Sequence, residues 1–331
     1  YFSLRFGKVS TRIGGYKQTI NKESEIVKSM LGIDKLEIKF EYDLTKEKLI
    51  AYFKNNNIKF SQLRLSTSDY ALKANNVLFI FNFFGYGRIN RIFVNPLKSF
   101  PSIFKALEAL ICICPEKVIE KYWISRLDLC LVFLDKPYEV VRKSLWIGKK
   151  QIFETISKRP DGVQSQYHGD YPSKVLVYDK LAKEPKFNSN IPLFRNYEYQ
   201  SRCEVQLKGS KLPCSKLQDL IPSICSDNFN PFKNIKYQEI EFQKPKSNRD
   251  CKKLERYYEL KTLVDHLGIQ FANSSINKLR GKNFNRDYKI PYIKTGREIH
   301  FKDYYHIKIR QYVSIPLGID PILGGDLYDK K

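Results

Sequence analysis

The sequence predicts an α+β protein: a central, mainly antiparallel β-sheet covered by helices, with a basic C-terminal accessory region. Three observations support this. Several segments alternate apolar and polar residues with period two, the pattern of a strand with one buried face. Shorter stretches between them carry apolar residues at the helical period of 3.6. The order in which these strands and helices follow one another suggests α+β, with a mainly antiparallel sheet covered by helices.

In order along the chain, residues 36–42 (Leu-Glu-Ile-Lys-Phe-Glu-Tyr) alternate apolar and charged side chains and predict a half-buried strand. Thr45 is an N-cap for a helix through about Phe53, stopped by Asn55, Asn56 and Asn57. A β-rich stretch follows from 60 to 95, with 77–84 almost wholly apolar and Asn95-Pro96 closing it. Phe100, Phe104, Leu107, Leu110 and Ile111 set a helix near 98–112. Then come a strand at 123–133, a short helix at 137–145, and two strands flanking the Arg159-Pro160-Asp161-Gly162 turn. A strand at 174–178 follows the Gly169-Asp170 turn, and a long strand spans 197–208, with a helix from about Ser215. Residues 243–256 read as a basic linker and 253–267 as a helix, while 273–310 interleave Lys, Arg, Asn and Tyr in a way suited to phosphate contact and base stacking. The division expected is 1–242, with the chemistry-bearing motifs at 95–210, and 243–331 as linker and DNA-binding accessory region. No internal repeat at a solenoid period is visible.

Composition narrows the function classes. Lys and Arg number 58 against 35 Asp and Glu, a net charge of +23. Such an excess favours polyanions, nucleic acid before an anionic membrane; a lysine-rich solvated surface from a biased proteome is the competing explanation. The seven cysteines show neither a C-x-x-C pair nor zinc-finger spacing, and most sit in apolar runs. That predicts a reducing compartment, the cytoplasm. No stretch is apolar enough to cross a membrane as a helix, so no membrane partner is expected. The sequence opens on Tyr1 rather than Met, which leaves a preceding or processed segment open.

Three of the strands carry candidate chemistry. On the first, Arg126, Asp128 and Cys130 share one face and Leu127, Leu129, Leu131 and Phe133 the other. On the second, Lys174, Leu176, Tyr178 and Lys180 oppose Val175 and Val177; on the third, Arg202, Glu204, Gln206 and Lys208 oppose Cys203, Val205 and Leu207. If the apolar faces pack on one helical layer, Asp128, Tyr178 and Glu204 emerge together. Two neighbouring carboxylates make a hard-oxygen site for Mg²⁺ or Mn²⁺, able to polarise a scissile phosphate. A tyrosine beside a cation becomes a usable nucleophile, and Arg126, Lys180 and Arg202 are placed to assist. The competing reading is a solvated sheet face on which Arg126–Asp128 and Arg202–Glu204 are surface ion pairs. Among other tyrosines, Tyr167 and Tyr171 flank the turn before the second strand, and Tyr257-Tyr258 and Tyr304-Tyr305 form pairs.

The segments Arg126-Leu127-Asp128-Leu129, Val177-Tyr178-Asp179-Lys180 with Glu184, and Arg202-Cys203-Glu204-Val205 through Gly209 occur in an order that resembles the replication initiation factor family. These are the trans-acting rolling-circle initiators of plasmids and filamentous phages. Gly169-Asp170-Tyr171-Pro172-Ser173 resembles the family's turn before the tyrosine strand, and Asn95-Pro96-Leu97-Lys98 resembles an N-P-x-K element of related initiators. The resemblance covers about 95–210. It implies that Tyr178 attacks an origin phosphate, keeping a 5′-phosphotyrosine and freeing a 3′-hydroxyl, with Asp128 and Glu204 as metal ligands. It also implies DNA as partner, single-stranded or in a hairpin at the nick, a homodimer, and cooperation with a host helicase and polymerase. Val132 stands where many relatives carry an acidic residue, and no two histidines among His168, His266, His300 and His306 are spaced as the His-x-His nickases require. Any metal site must therefore be carboxylate-based, with His168 the nearest imidazole in sequence. The alternatives are a non-catalytic, sequence-specific DNA-binding protein and a conjugative, relaxase-like nickase.

Overall fold

The computed structural model describes residues 29–40, 44–64, 69–82, 89–115, 121–148, 152–157, 164–169, 172–183, 198–244, 251–267 and 292–314. Its centre is a ten-stranded sheet, every neighbouring pair antiparallel. In chain order the strands are β1 (Ser29–Phe40), β2 (Phe60–Arg64), β3 (Asp69–Ala74), β4 (Val77–Asn82), β5 (Ile89–Val94) and β6 (Tyr122–Phe133). After β7 (Leu145–Ile147), which joins another sheet, come β8 (Ile152–Ser157), β9 (Gln164–His168), β10 (Ser173–Asp179) and β11 (Ser201–Lys208). Their order across the sheet is β2-β3-β4-β5-β1-β6-β11-β10-β9-β8. An α+β fold with a mainly antiparallel sheet is thus what the molecule has.

That order contains a repetition the residues do not advertise. In each half a long strand is followed by a helix and then, β7 aside, by four strands of this sheet, of which the last pairs back against the long one: β1-β5-β4-β3-β2 and β6-β11-β10-β9-β8. The two long strands pair antiparallel, Lys35 opposite Asp128, so a local two-fold axis normal to the sheet relates the halves. The register then makes Phe93 the counterpart of Glu204, Arg91 of Arg202, and Ile80 of Tyr178.

Local signals explain most elements. Helix α1 (Lys46–Asn55) starts where the Thr45 hydroxyl accepts from the Lys48 amide at 3.3 Å. It stops before Asn57, which takes a left-handed φ of 53°. Asn75 and Asn76, at φ 45° and 63°, make the two-residue β3–β4 turn that suits the twist of a hairpin. Beyond Asn95 lie a single helical turn, α2 (Pro96–Ser99), and α3 (Ile103–Ile113), which Ser102 caps. The period-two faces pack as the pattern predicts. Leu127, Leu129, Leu131, Phe133, Val175, Val177, Cys203, Val205 and Leu207 join one buried cluster with Leu49 and Phe53 of α1, Leu107 and Leu110 of α3, and Val141 of α4 (Tyr138–Ser144).

Part of the basic C-terminal region joins the core. β12 (Ile235–Phe242) pairs with β7 on one side and with β13 (Tyr292–His300) on the other, forming a three-stranded sheet. α8 (Phe301–Ser314), which follows α5 (Lys180–Lys183), α6 (Leu220–Ile224) and α7 (Cys251–Leu267), lays Phe301, Tyr305, Ile309 and Tyr312 into the main core. A Cβ on Gly32 of β1 would stand 2.5 Å from Leu97 Cδ1 and 3.1 Å from the Tyr312 ring, so glycine is what lets α2 and α8 close on the strand. The tyrosines of α8 thus serve packing. The 159–162 turn, Tyr171, Glu184, residues 245–250 of the linker and 273–291 of the basic region lie outside the described residues. Among the described residues no helix is long and apolar enough to cross a membrane.

Candidate active site

The three motif strands lie side by side as β6-β11-β10. Asp128 faces Gln206, Glu204 faces Leu176, and Tyr178 faces Arg202. Cross-strand partners share a sheet face, and diagonal neighbours stand about 7–8 Å apart at Cβ, within reach of long side chains. Asp128, Glu204 and Tyr178 therefore form one diagonal. The Tyr178 hydroxyl donates to Glu204 Oε2 at 3.1 Å, and Gln206 Nε2 donates to Glu204 Oε1 at 2.7 Å. Arg126 grips Asp128 in a fork, Nε to Oδ1 and Nη2 to Oδ2 both at 2.7 Å. The side chains line a cleft of about 270 Å³, together with Asp34, Lys35, Asn95, Lys98, Lys180 and Lys183.

Two sequence expectations need correction. These are not solvated surface pairs: Asp128 is 1% exposed, Glu204 4% and Arg202 0%. Nor does Arg202 pair with Glu204. It ion-pairs with Asp34, which sits at a β-bulge where the β1 register slips between Ile33 and Lys35. A bulge inserts one extra residue and re-aims its side chain, which sends Asp34 across β6. Lys180 also departs from its place on a continued strand. β10 ends at Asp179, whose Oδ1 accepts from the amides of Leu181 and Ala182 at 2.9 and 3.2 Å, and Lys180 opens the single-turn α5. It is buried and still borders the cleft.

His168 does not join this group. It pairs with Val175, on the sheet face opposite Tyr178 and Glu204. Tyr167 faces Leu176 and lines the cleft, with Lys174 Nζ 4.1 Å from its ring centre. Asp34, Lys35, Lys183 and Gln206 also line the cleft, and nothing in the sequence pattern marks them as site residues. Asn95 and Lys98 had a signal, the Asn-Pro-x-Lys element, and the turn after β5 delivers both to the cleft.

Burial governs the electrostatics. Glu204 is pushed up to about 7, first by burial and then by the negative charges of Asp34 and Asp128. Asp128 is raised by burial, against the opposing pull of Arg126. The Tyr178 phenol is raised well above its ordinary value by burial, then by Asp34 and Glu204, with Arg202 pulling the other way. Lys35 is lowered by burial and by Arg126. Lys183 Nζ lies 4.3 Å from the Tyr178 ring centre, and the tyrosine is only 2% exposed.

The donor set suits a hard divalent cation. Asp128 adds to burial and to Asp34 in raising Glu204, and Mg²⁺ needs only one or two protein carboxylates because it keeps several waters. Among the described residues no three Asp, Glu, His or Cys side chains converge as a cage for a metal ion. What the arrangement offers chemically is an acceptor on a phenol, paired acids and a rim of five cations (Lys35, Lys98, Arg126, Lys180 and Lys183). No protein-family model matches the chain, and no curated protein matches it.

Proposed function

We propose that this protein is a DNA nickase and strand transferase that starts rolling-circle replication, with Tyr178 as nucleophile. One observation carries the reading: the Tyr178 hydroxyl already donates to Glu204, inside a cleft that also holds Asp128 and a rim of lysines and arginine. A phosphodiester fits the rim by charge. Glu204, whose affinity for a proton lies near neutrality, is matched to remove the phenol proton at physiological pH.

The Tyr178 oxygen forms a bond to phosphorus as its proton passes to Glu204. The bond from phosphorus to the 3′-oxygen breaks, and that oxygen takes a proton from the neighbouring Lys180 ammonium. A 5′-phosphotyrosine and a free 3′-hydroxyl remain, and reversal rejoins the strand. Asp128 and the Glu204 oxygen that does not accept from Tyr178 would hold Mg²⁺ or Mn²⁺, which when bound supplies Lewis-acid polarisation of the phosphate. Arg126 fixes Asp128, and Arg202 opposes the burial that keeps Tyr178 protonated. The partner is origin DNA, single-stranded or in a hairpin at the nick, in the cytoplasm; a homodimer and a host helicase and polymerase complete the proposal. A conjugative nickase would use the same chemistry.

A second reading has its own support. Tyr178 is covered by Lys183 and almost fully buried, as in a sheet that only positions DNA. Incubating the protein with single-stranded and supercoiled DNA from its encoding element, with Mn²⁺ or EDTA, separates the two on a denaturing gel. Nicking predicts a metal-dependent, SDS-resistant adduct that is absent in Tyr178→Phe. Salt-sensitive binding without any adduct would leave the DNA-binding protein.

A further inference from the structure

We infer that the other half of the sheet, β1 to β5, is a docking track for single-stranded DNA leading into the cleft. The inference rests on the reading of DNA as substrate and adds where the strand lies. Cross-strand pairing sets a continuous row on the cleft's face: Ser61, Lys73, Leu78, Phe93, Glu37 and Arg126. The row crosses from edge strand β2 to β6, five strand spacings or about 24 Å. Ser61 and Lys73 are exposed, and Leu78 and Phe93 are half-exposed. Glu37 is the row's one acid, buried and accepting from the Ser125 hydroxyl at 2.9 Å, so its charge lies away from a ligand on the surface.

Phe93 is the centre of the track. Lys35 Nζ lies 4.5 Å from its ring centre and the Arg91 guanidinium 5.6 Å. Lys35 also lines the cleft, so one residue belongs to both surfaces and makes them continuous. An aromatic ring flanked by cations is what an unpaired base with its phosphates recognises: the base stacks on the ring and the displaced cation meets the backbone. In a duplex the base faces are covered by neighbouring base pairs, so an aromatic ring on the sheet face, flanked by cations, favours the single strand. The local two-fold sharpens the point. Where the second half carries Glu204 and Tyr178, the first has Phe93 and Ile80, while Arg202 has a counterpart in Arg91. This half keeps the architecture and the cations without the acid or the nucleophile, a surface for holding rather than cutting.

The test compares binding of oligothymidylates of about 6 and about 20 nucleotides, single-stranded and as a duplex with oligodeoxyadenylate, by fluorescence anisotropy. Wild type should prefer the longer single strand. Phe93→Ala should lose about tenfold of that preference, the scale of one stacked base, while affinity for the short strand stays unchanged. Lys73→Glu, at an exposed position that cannot harm the core, should lose preference in the same direction. Both variants should still form the Tyr178 adduct on short cognate DNA. Unchanged length preference in both variants, or a preference for the duplex, overturns the track. If wild type forms no adduct at all, the nicking chemistry fails while the length preference still decides the track.

Discussion

The two halves of the sheet share a path and differ in what they bury. In β6-β11-β10 the cleft-side face holds Asp128, Glu204, Arg202 and Tyr178, all almost inaccessible. The corresponding face of β1-β5-β4 holds Lys35, Phe93, Arg91 and Ile80, with Phe93 and Arg91 half-exposed. Burying charge is costly unless each group is paired, and the second half meets that cost by borrowing from the first: Asp34 answers Arg202, and Lys35, Asn95 and Lys98 reach the shared cleft. Buried charge therefore collects at the seam between halves. One copy keeps the buried acids and the phenol, and the other supplies counter-charge and surface.

The sharpest way to break the comparison is to remove the groups found in one half only. Tyr178→Phe should abolish the adduct, and Glu204→Gln should slow its formation by about 10²–10⁴-fold, the usual worth of a positioned base, both measured by single-turnover gel assay. DNA binding should survive both changes. A Glu204→Gln rate within a few-fold of wild type would remove Glu204 from the proton transfer.

Cutting the tie between the halves comes next. Arg202→Met leaves Asp34 without its buried partner and should destabilise the fold by about 3–5 kcal/mol in urea unfolding. Adding Asp34→Asn to that variant should recover a good part of the loss, because no lone charge then remains. Two losses that simply add would mean the pair does not couple.

A pH series probes the second half alone. Glu204 holds its proton more tightly folded, at about 7, than in an unfolded chain, at about 4.3. The folded state then binds more protons between those values, so stability falls as pH rises through the window and the loss is complete above about 7. The fall should be on the order of 3 kcal/mol at most, measured in EDTA from pH 5 to 8. Glu204→Gln should flatten it, and Mn²⁺ at pH 8 should reverse it in wild type. Identical profiles for wild type and Glu204→Gln would place the proton elsewhere. The smallest effect belongs to the first half: Lys73→Ala should lower the slope of log affinity against log salt for single strands by about 0.7, one phosphate contact.

Where the chain alternates without interruption, sequence sufficed. Leu127, Leu129 and Leu131 against Arg126 and Asp128 define both faces of β6, and Val175, Val177, Cys203 and Val205 do so for their neighbours. That puts Asp128, Glu204 and Tyr178 each on the polar face of its strand, and the pairing β6-β11-β10 brings them onto one diagonal. Asp34 escaped because a bulge breaks the period at the point where it is re-aimed, and a pattern cannot announce its own interruption. His168 looked close in sequence, yet an odd step along β9 turns it to the far face. The helix at 301–314 was masked by tyrosines that look like stacking residues until Tyr305 and Tyr312 are found in the core. The two-fold was invisible because the halves repeat pairings, while the residues at matched positions, Phe93 and Glu204 for example, share no chemistry.

The most direct test of the account is mass spectrometry of the protein after reaction with DNA from its encoding element, nuclease trimming and proteolysis. The account predicts one modified peptide, carrying a nucleotide through a 5′-phosphate on Tyr178, formed with Mn²⁺ and missing in EDTA. A nucleotide on Tyr167 or another tyrosine, or reaction of the cognate DNA with no modified peptide, would contradict it.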